Sequence, residues 1–414
     1  MENLNPAAFQ LTKDVVLYFE TTQCPKLRPV SPDESTLDFS EQAATQAGLE
    51  KAAHEVYERL IEMIRRVTDR NTGVKVAFAT SGEVLQAMVK SFPAIIDRFR
   101  ELTSLNSVEW LGMPYHNSLS LLFSDEAYRE EVIRHRDLLQ DIFFVQPGVL
   151  LAAPVFDASL VSLASGLGFK AVIMTPEESV KFPISIGTES MIVMSADDGV
   201  GKALTRFGGD LKSAVQELVS SINRAPGDTV VICISADHLA SHHDNGLLKF
   251  LEEFLSLAAG QDRLVHPGEV VSRIRMRDDP QLPQFPGMTS NGTRWLSTDL
   301  QREAFMAAKD LDDSTKDLVD TNTRHALMGL LNAGHYASMS STTADLSGTY
   351  LSAQEAFSYY MSALQSLRRI VDASAVKVDD SAAKSVEATR QHTTTPAWAL
   401  NEQSRYNENT QSHI

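Results

Sequence analysis

Seven short apolar runs, rich in β-branched residues, recur through the first 235 residues and alternate with stretches of helical period. They are Val15–Phe19, Val74–Thr80, Val108–Leu111, Val149–Ala152, Phe169–Thr175, Met191–Ser195 and Thr229–Ser235. Most are apolar throughout rather than alternating, the pattern of parallel strands covered on both faces. Between them, Val56, Leu60, Met63 and Val67 form one apolar stripe with Glu and Arg opposite, and Tyr128–Phe143 and Leu247–Ala259 read similarly. This alternation predicts an α/β fold of parallel β/α architecture, closed or nearly closed. An open doubly wound sheet fits the same pattern and is the alternative.

Beyond Gly260 the pattern changes. Residues 263–300 are rich in Pro, Asp and Arg, with Pro280, Pro283 and Pro286 close together, which predicts a loop-dominated crossing. Two helical stretches follow, at about 301–333 and 351–372. The second places Ala353, Ala356, Phe357, Tyr360, Met361, Leu364 and Leu367 on one face. From Ser374 polar residues dominate, and Trp398 is the one docking point there. The chain thus divides into a barrel over 1–262, a cap over 263–372 completing the cleft, and a disordered tail over 373–414.

A net charge of −17 disfavours nucleic acid and anionic membrane surfaces, and suits a neutral partner such as a sugar. Only Cys24 and Cys233 are present, no secretory leader is visible, and no apolar run reaches the roughly 20 residues of a membrane helix. A cytoplasmic location is the expectation. His238, His242, His243 and Asp244 lack a third ligand with a motif of its own, so no metal is expected. Gly199-Val200-Gly201-Lys202 lacks the earlier Gly of a phosphate loop and follows Asp197-Asp198, so no nucleotide cofactor is expected either.

In β/α barrels chemistry sits on loops after the strand C-termini. The first such loop reads Tyr18-Phe19-Glu20-Thr21-Thr22-Gln23-Cys24-Pro25-Lys26-Leu27-Arg28. The third strand runs Val108-Glu109-Trp110-Leu111-Gly112-Met113-Pro114-Tyr115-His116-Asn117-Ser118-Leu119. Ala196-Asp197-Asp198 follows the sixth strand, and Asn332-Ala333-Gly334-His335-Tyr336-Ala337-Ser338-Met339 comes near the end. In this order the motifs resemble glycoside hydrolase family 57, the α-amylase type, over roughly residues 14–370. Thr22 and Cys24 depart from that family's His-Gln-Pro, Met113 from its Glu, Asn117 from its His, and Gly334 from its Asp.

With the seven strand runs, the resemblance implies a distorted seven-stranded parallel (β/α)7 barrel with a C-terminal helical region, and a retaining glycosidase framework, which needs a carboxylate nucleophile and a carboxyl acid about 5–5.5 Å apart. The nucleophile position falls on Pro154, within Leu150-Leu151-Ala152-Ala153-Pro154-Val155-Phe156-Asp157. The acid position falls on Ser235, in Ser235-Ala236-Asp237-His238-Leu239-Ala240-Ser241-His242. Neither can do that chemistry. Asp237 is the substitute within reach, about 6.6 Å further along if the strand continues; Asp157 faces away from Pro154. The expectation is a family-57-like protein without catalysis, retaining a cleft for α-glucan or maltooligosaccharide, or for a protein partner or second copy. The alternative is an active α-glucan hydrolase or transferase with relocated carboxylates such as Asp237. Gln23, Trp110, Tyr115, His116, Asp197, Asp198, Asp237, His242 and His335 are expected to line the mouth, with Trp110, Tyr115 and His335 as sugar platforms or cleft walls.

Overall fold

The computed structural model describes residues 9–31, 34–157, 159–174, 184–186, 191–197, 210–235, 239, 246–273, 295–315, 320–340 and 350–392. Eight strands form: β1 Asp14–Thr21, β2 Val76–Thr80, β3 Val108–Trp110, β4 Val149–Ala152, β5 Ala171–Met174, β6 Ile184–Ile186, β7 Met191–Ser195 and β8 Thr229–Ser235. Two four-stranded sheets have the orders β3-β2-β1-β8 and β4-β5-β7-β6, parallel except for β6.

Two seams join them into a ring. Gly112 donates its N–H to Val149 at 2.9 Å and accepts from Leu151 at 2.7 Å, bridging β3 to β4. Ala196 lies beside Val231, and Asp197 N–H bonds the Val231 carbonyl at 2.8 Å, bridging β7 to β8. The result is a distorted seven-stranded parallel β/α barrel, and the open-sheet alternative falls. β6, which the sequence pattern did not mark, pairs antiparallel with Met191–Val193 and takes edge that β8 would otherwise use. Gly112 is required at its seam, because a Cβ there would stand 2.7 Å from the Phe169 ring.

Strand parity separates the core into layers. Val16 and Tyr18 join Leu111, Leu151, Ile173, Met194 and Val231 inside the barrel. Leu17 and Phe19 face outward with Phe78 and Trp110, against helices α2 (Glu58–Arg70), α4 (Pro93–Ser104) and α8 (Leu247–Gly260). We number the other helices α1 Gln42–Ala52, α3 Gly82–Ser91, α5 Asp125–Phe143, α6 Ser159–Gly166, α7 Leu211–Arg224, α9 Pro267–Arg273, α10 Asp299–Thr315, α11 Thr321–Leu330, α12 Ala333–Ser338 and α13 Ala353–His392. Segment 264–273 closes the barrel base: Leu264 bridges Val15, while Val265 and Val270 enter the interior cluster.

A separate apolar cluster unites α10–α13 with Leu27, Val30, Phe39, Leu119 and Ala127. It sits over the C-terminal ends of the first strands, held by Leu119 N–H to Leu331 at 2.8 Å and Ala333 N–H to Asn117 at 3.1 Å. The single helix expected over 301–333 is instead split. Asp320 caps α11 by accepting from the N–H groups of Asn322 and Thr323, and Asn332 caps α12 through Gly334 N–H at 2.9 Å. α13 runs to His392, beyond the predicted start of the tail at 373. Ala382, Ala383, Lys384, Glu387 and Ala388 favour helix strongly enough to extend it despite their polarity.

Candidate functional site at the barrel mouth

Parity decides which groups reach the mouth. Val16 and Tyr18 point inward, so Glu20, two residues further along β1, does too. Cys233 on the neighbouring strand also packs inward, with its thiol 3.7 Å from Glu20 Oε2. Ser235 has the same parity and is the register partner of Glu20. A carboxylate therefore stands on the strand beside Ser235.

Pro154, where the resemblance puts the nucleophile, is part of the packing. Pro154 is buried, and its carbonyl accepts from the Trp295 indole at 3.2 Å. Asp157 Oδ1 accepts from Ser159 N–H at 2.9 Å and caps the start of α6. Met113, at 0% exposure, belongs to the barrel interior.

The loop after β3 carries the densest polar cluster. Glu131 of α5 accepts from His116 N–H at 2.9 Å, from His116 Nδ1 at 2.8 Å and from Ser118 Oγ at 3.1 Å. Burial works against both charges, but each outweighs it for the other: His116 titrates above and Glu131 below its ordinary range, with Glu83 adding to the pull on His116. The pair is a buried ion pair, the two side chains 2% and 3% exposed. Tyr115 bonds Gln86 at 2.7 Å and stacks under the Arg134 guanidinium at 4.7 Å. His325 from the cap lies 4.4 Å from the His116 ring, and burial with the charge of His116 pushes it down to about 4.

A second group faces this one. Cys24 is an exposed residue whose sulfur turns toward the cap, 3.2 Å from His335 Nδ1. Desolvation of that thiol and the charge of Glu83 raise its pKa well above the usual value, while burial pushes His335 down to about 3. The pair is thus a neutral thiol and a neutral imidazole, unlike the thiolate a nucleophile requires. Glu83 accepts from Asn332 Nδ2 at 3.1 Å, and burial raises its pKa against the opposing charge of His116. Gly334 makes the arrangement possible, since a Cβ there would stand 2.3 Å from Cys24 Cβ. The departures at 24 and 334 are therefore sterically linked.

Of the residues expected at the mouth, Tyr115, His116 and His335 come together, all buried beneath the cap. Gln23 adjoins Cys24 and reaches the Gly48 carbonyl at 3.4 Å; Asp197 is half-buried just past β7. Trp110 is a correction. It is 2% exposed on the outer face of β3, stacked 4.0 Å from Phe143, with its indole N–H on Thr103 Oγ1 at 3.0 Å. Its parity puts it among the helices, so it offers no platform for a sugar. Asp198, Asp237 and His242, with His238, His243 and Asp244, lie outside the described residues. Among the described residues no group of three or more His, Cys, Asp or Glu is placed to hold a metal ion, and no helix is long and apolar enough to cross a membrane.

Sequence reasoning missed Glu20, Glu83, Glu131 and His325. Glu131 and His135 had a usable signal, because both fall on the buried stripe of α5 with Tyr128, Val132 and Leu139. Glu20 could have been found from strand parity alone. Glu83 and His325 carry no local mark.

Residues 17–283 match the sequence pattern of glycosyl hydrolase family 57. The chain is 22% identical over 291 residues to a protein of Methanocaldococcus jannaschii described as "Putative alpha-amylase", covering 64% of this chain and 62% of that one. Among solved structures, a family-57 branching enzyme of Thermococcus kodakaraensis superposes with a TM-score of 0.65 at 11% identity, over 87% of this chain and 90% of that one. A 4-alpha-glucanotransferase of Thermococcus litoralis gives 0.56 at 12% identity, over 79% of this chain and 56% of that one. The chain thus spans less than two thirds of the M. jannaschii protein and of the glucanotransferase. Since the matched segment runs through the strands of the barrel and the loops at its mouth, the chain belongs to glycosyl hydrolase family 57.

Proposed function

We propose that this protein is a family-57 member that has lost glycosidase catalysis and uses the barrel mouth to bind α-glucan. In this reading the barrel, closed at its base by 264–273, forms the floor, the helices α10–α13 form the roof, and the protein works in the reducing cytoplasm with both cysteines free. The carrying observation is the chemistry at two strand ends: Pro154, its carbonyl held by Trp295, and Ser235. Without a carboxylate at either position, neither a glycosyl-enzyme intermediate nor protonation of the leaving oxygen has a donor there. Glu131 cannot take over, because it is buried in an ion pair with His116. The substrate classes in the names of the relatives, amylase, branching enzyme and glucanotransferase, support an α-glucan as ligand.

The test is a pair of measurements on the purified full chain. Starch, maltooligosaccharides and activated α-glucosides are expected to give no turnover. Calorimetric titration with maltooligosaccharide is expected to give a Kd of about 0.1–10 mM, since each sugar hydroxyl only exchanges one set of hydrogen bonds for another. No binding at high concentration would instead favour a protein partner or a second copy as the occupant.

A second reading is an active α-glucan hydrolase or transferase with relocated carboxylates. The inward-facing Glu20, register partner of Ser235, favours it, and Asp237 is a further candidate. Turnover abolished by Glu20→Gln or Asp237→Asn would establish this reading over the first.

A further inference from the structure

A pocket of about 320 Å³ opens at the other end of the barrel, where the N-terminal ends of β3 and β4 meet the basal segment 264–273. Chemistry in β/α barrels is not expected there, and neither reading above uses it. Three ionisable residues line it, Glu109, His266 and Glu269, and the carboxyl oxygens of Glu109 accept from Gly268 N–H at 3.2 and 3.0 Å. The neighbouring carboxylate, Glu269, is paired with Lys75 at 2.9 Å. Glu109 is not: among the described residues its only partner of opposite potential charge is His266, 3.8 Å away. His266 is itself 4% exposed, donates through Nε2 to the Asn106 carbonyl at 2.9 Å, and is held neutral by burial. The floor therefore presents an acceptor-rich surface in which, among the described residues, the Glu109 carboxyl has no Lys or Arg paired with it.

The walls carry an apolar patch, Val108, Trp110, Val145 and Pro147, beside the polar Thr103, Asn106 and Gln146. Two exposed apolar residues directly precede lining residues in the chain: Leu105 before Asn106, 52% exposed, and Phe144 before Val145, 77% exposed. Phe144 also holds a left-handed backbone, φ 60°, which a bulky side chain adopts only at a cost.

We propose that this basal pocket binds a small organic cation, a protonated primary amine carried on an apolar ring or chain. The ammonium would sit on Glu109, and the hydrocarbon body against Val108, Trp110 and Pro147. Burial, with the charge of Glu269 adding, already lifts Glu109 to about 7 against the Gly268 hydrogen bonds. A bound cation removes that penalty, which a neutral hydroxyl cannot do. An anion meets the wrong sign. Among the described residues a metal ion finds too few donors, because no group of three His, Cys, Asp or Glu comes together there and His266 already spends one nitrogen on Asn106.

The experiment uses cyclohexylamine and its neutral isostere cyclohexanol against the full chain at pH 7, read by ligand-observed NMR titration. The amine is expected to bind at least about tenfold more tightly than the alcohol, as a charge-assisted hydrogen bond should provide. Glu109→Gln should weaken the amine by a similar factor while leaving the alcohol unchanged. Gly148→Leu is the second variant: Gly148 lines the pocket and a Cβ there meets nothing within 4 Å, so the substitution adds bulk at the pocket wall without a clash at Cβ. It should abolish binding of both probes, and it decides the matter alone if Glu109→Gln does not fold. Equal affinity for amine and alcohol, amine binding that survives Gly148→Leu, or no amine binding at all would overturn the proposal.

Discussion

His135 offers a quantitative test of how the barrel treats buried polar groups. The side chain is fully buried on α5, its Nε2 bonds the Thr80 carbonyl at 2.8 Å, and Nδ1 has no partner. Burial pushes its pKa down to about 4. An unfolded histidine titrates near 6.5, so below that pH the unfolded chain takes up a proton that the native chain refuses. Stability contributed by the neutral ring is complete above pH 6.5, falls as pH drops, and is gone below about 4. Between pH 7 and 5 the loss is about 2 kcal/mol from this residue, approaching one proton and about 1.4 kcal/mol per pH unit. His335, pushed to about 3, adds a slope of the same sign, whereas Glu109, lifted to about 7, gains stability as pH falls and opposes it. A single pH profile therefore mixes signs, and the difference between two proteins isolates one group. His135→Gln can keep the donor to Thr80 but cannot titrate. Urea denaturation of both proteins at pH 7, 6 and 5 should show the variant losing about 2 kcal/mol less over that range, whatever it costs at pH 7. Parallel profiles for the two proteins would refute the reasoning, since they would mean His135 binds its proton equally in both states.

Gly334→Ala should destabilise by about 1–3 kcal/mol, because its Cβ meets Cys24 Cβ at 2.3 Å; in a Cys24→Gly background the cost should largely vanish in thermal melts. Trp110→Ala should cost about 3–5 kcal/mol of stability by emptying the stack against Phe143, while the maltooligosaccharide affinity of the folded fraction stays unchanged. Glu131→Leu should cost about 3–5 kcal/mol at neutral pH by leaving the His116 imidazolium unpaired, and NMR titration should show the His116 pKa falling from its raised value.

Much of the architecture was legible in the chain itself. Runs such as Val149–Ala152 and residues 191–194, apolar at every position, read as parallel strands covered on both sides, and their spacing leaves room for one helix each. The motif order identified the family, and the absence of carboxylates at Pro154 and Ser235 was readable without coordinates. Tertiary structure alone decided closure: the ring depends on Gly112 beside Leu150 and Ala196 beside Val231, contacts between residues with no local signature. It also decided which polar groups meet. Trp110 was placed by motif at the mouth, yet strand parity turns it to the helices. Glu83 and Asn332, 249 residues apart, share a hydrogen bond only because the cap docks on the loop after β3. Periodicity along a chain reports which face a residue shows. Which distant residue covers that face is set by packing, and the ionisation of His116, Glu131 and His335 follows from that cover.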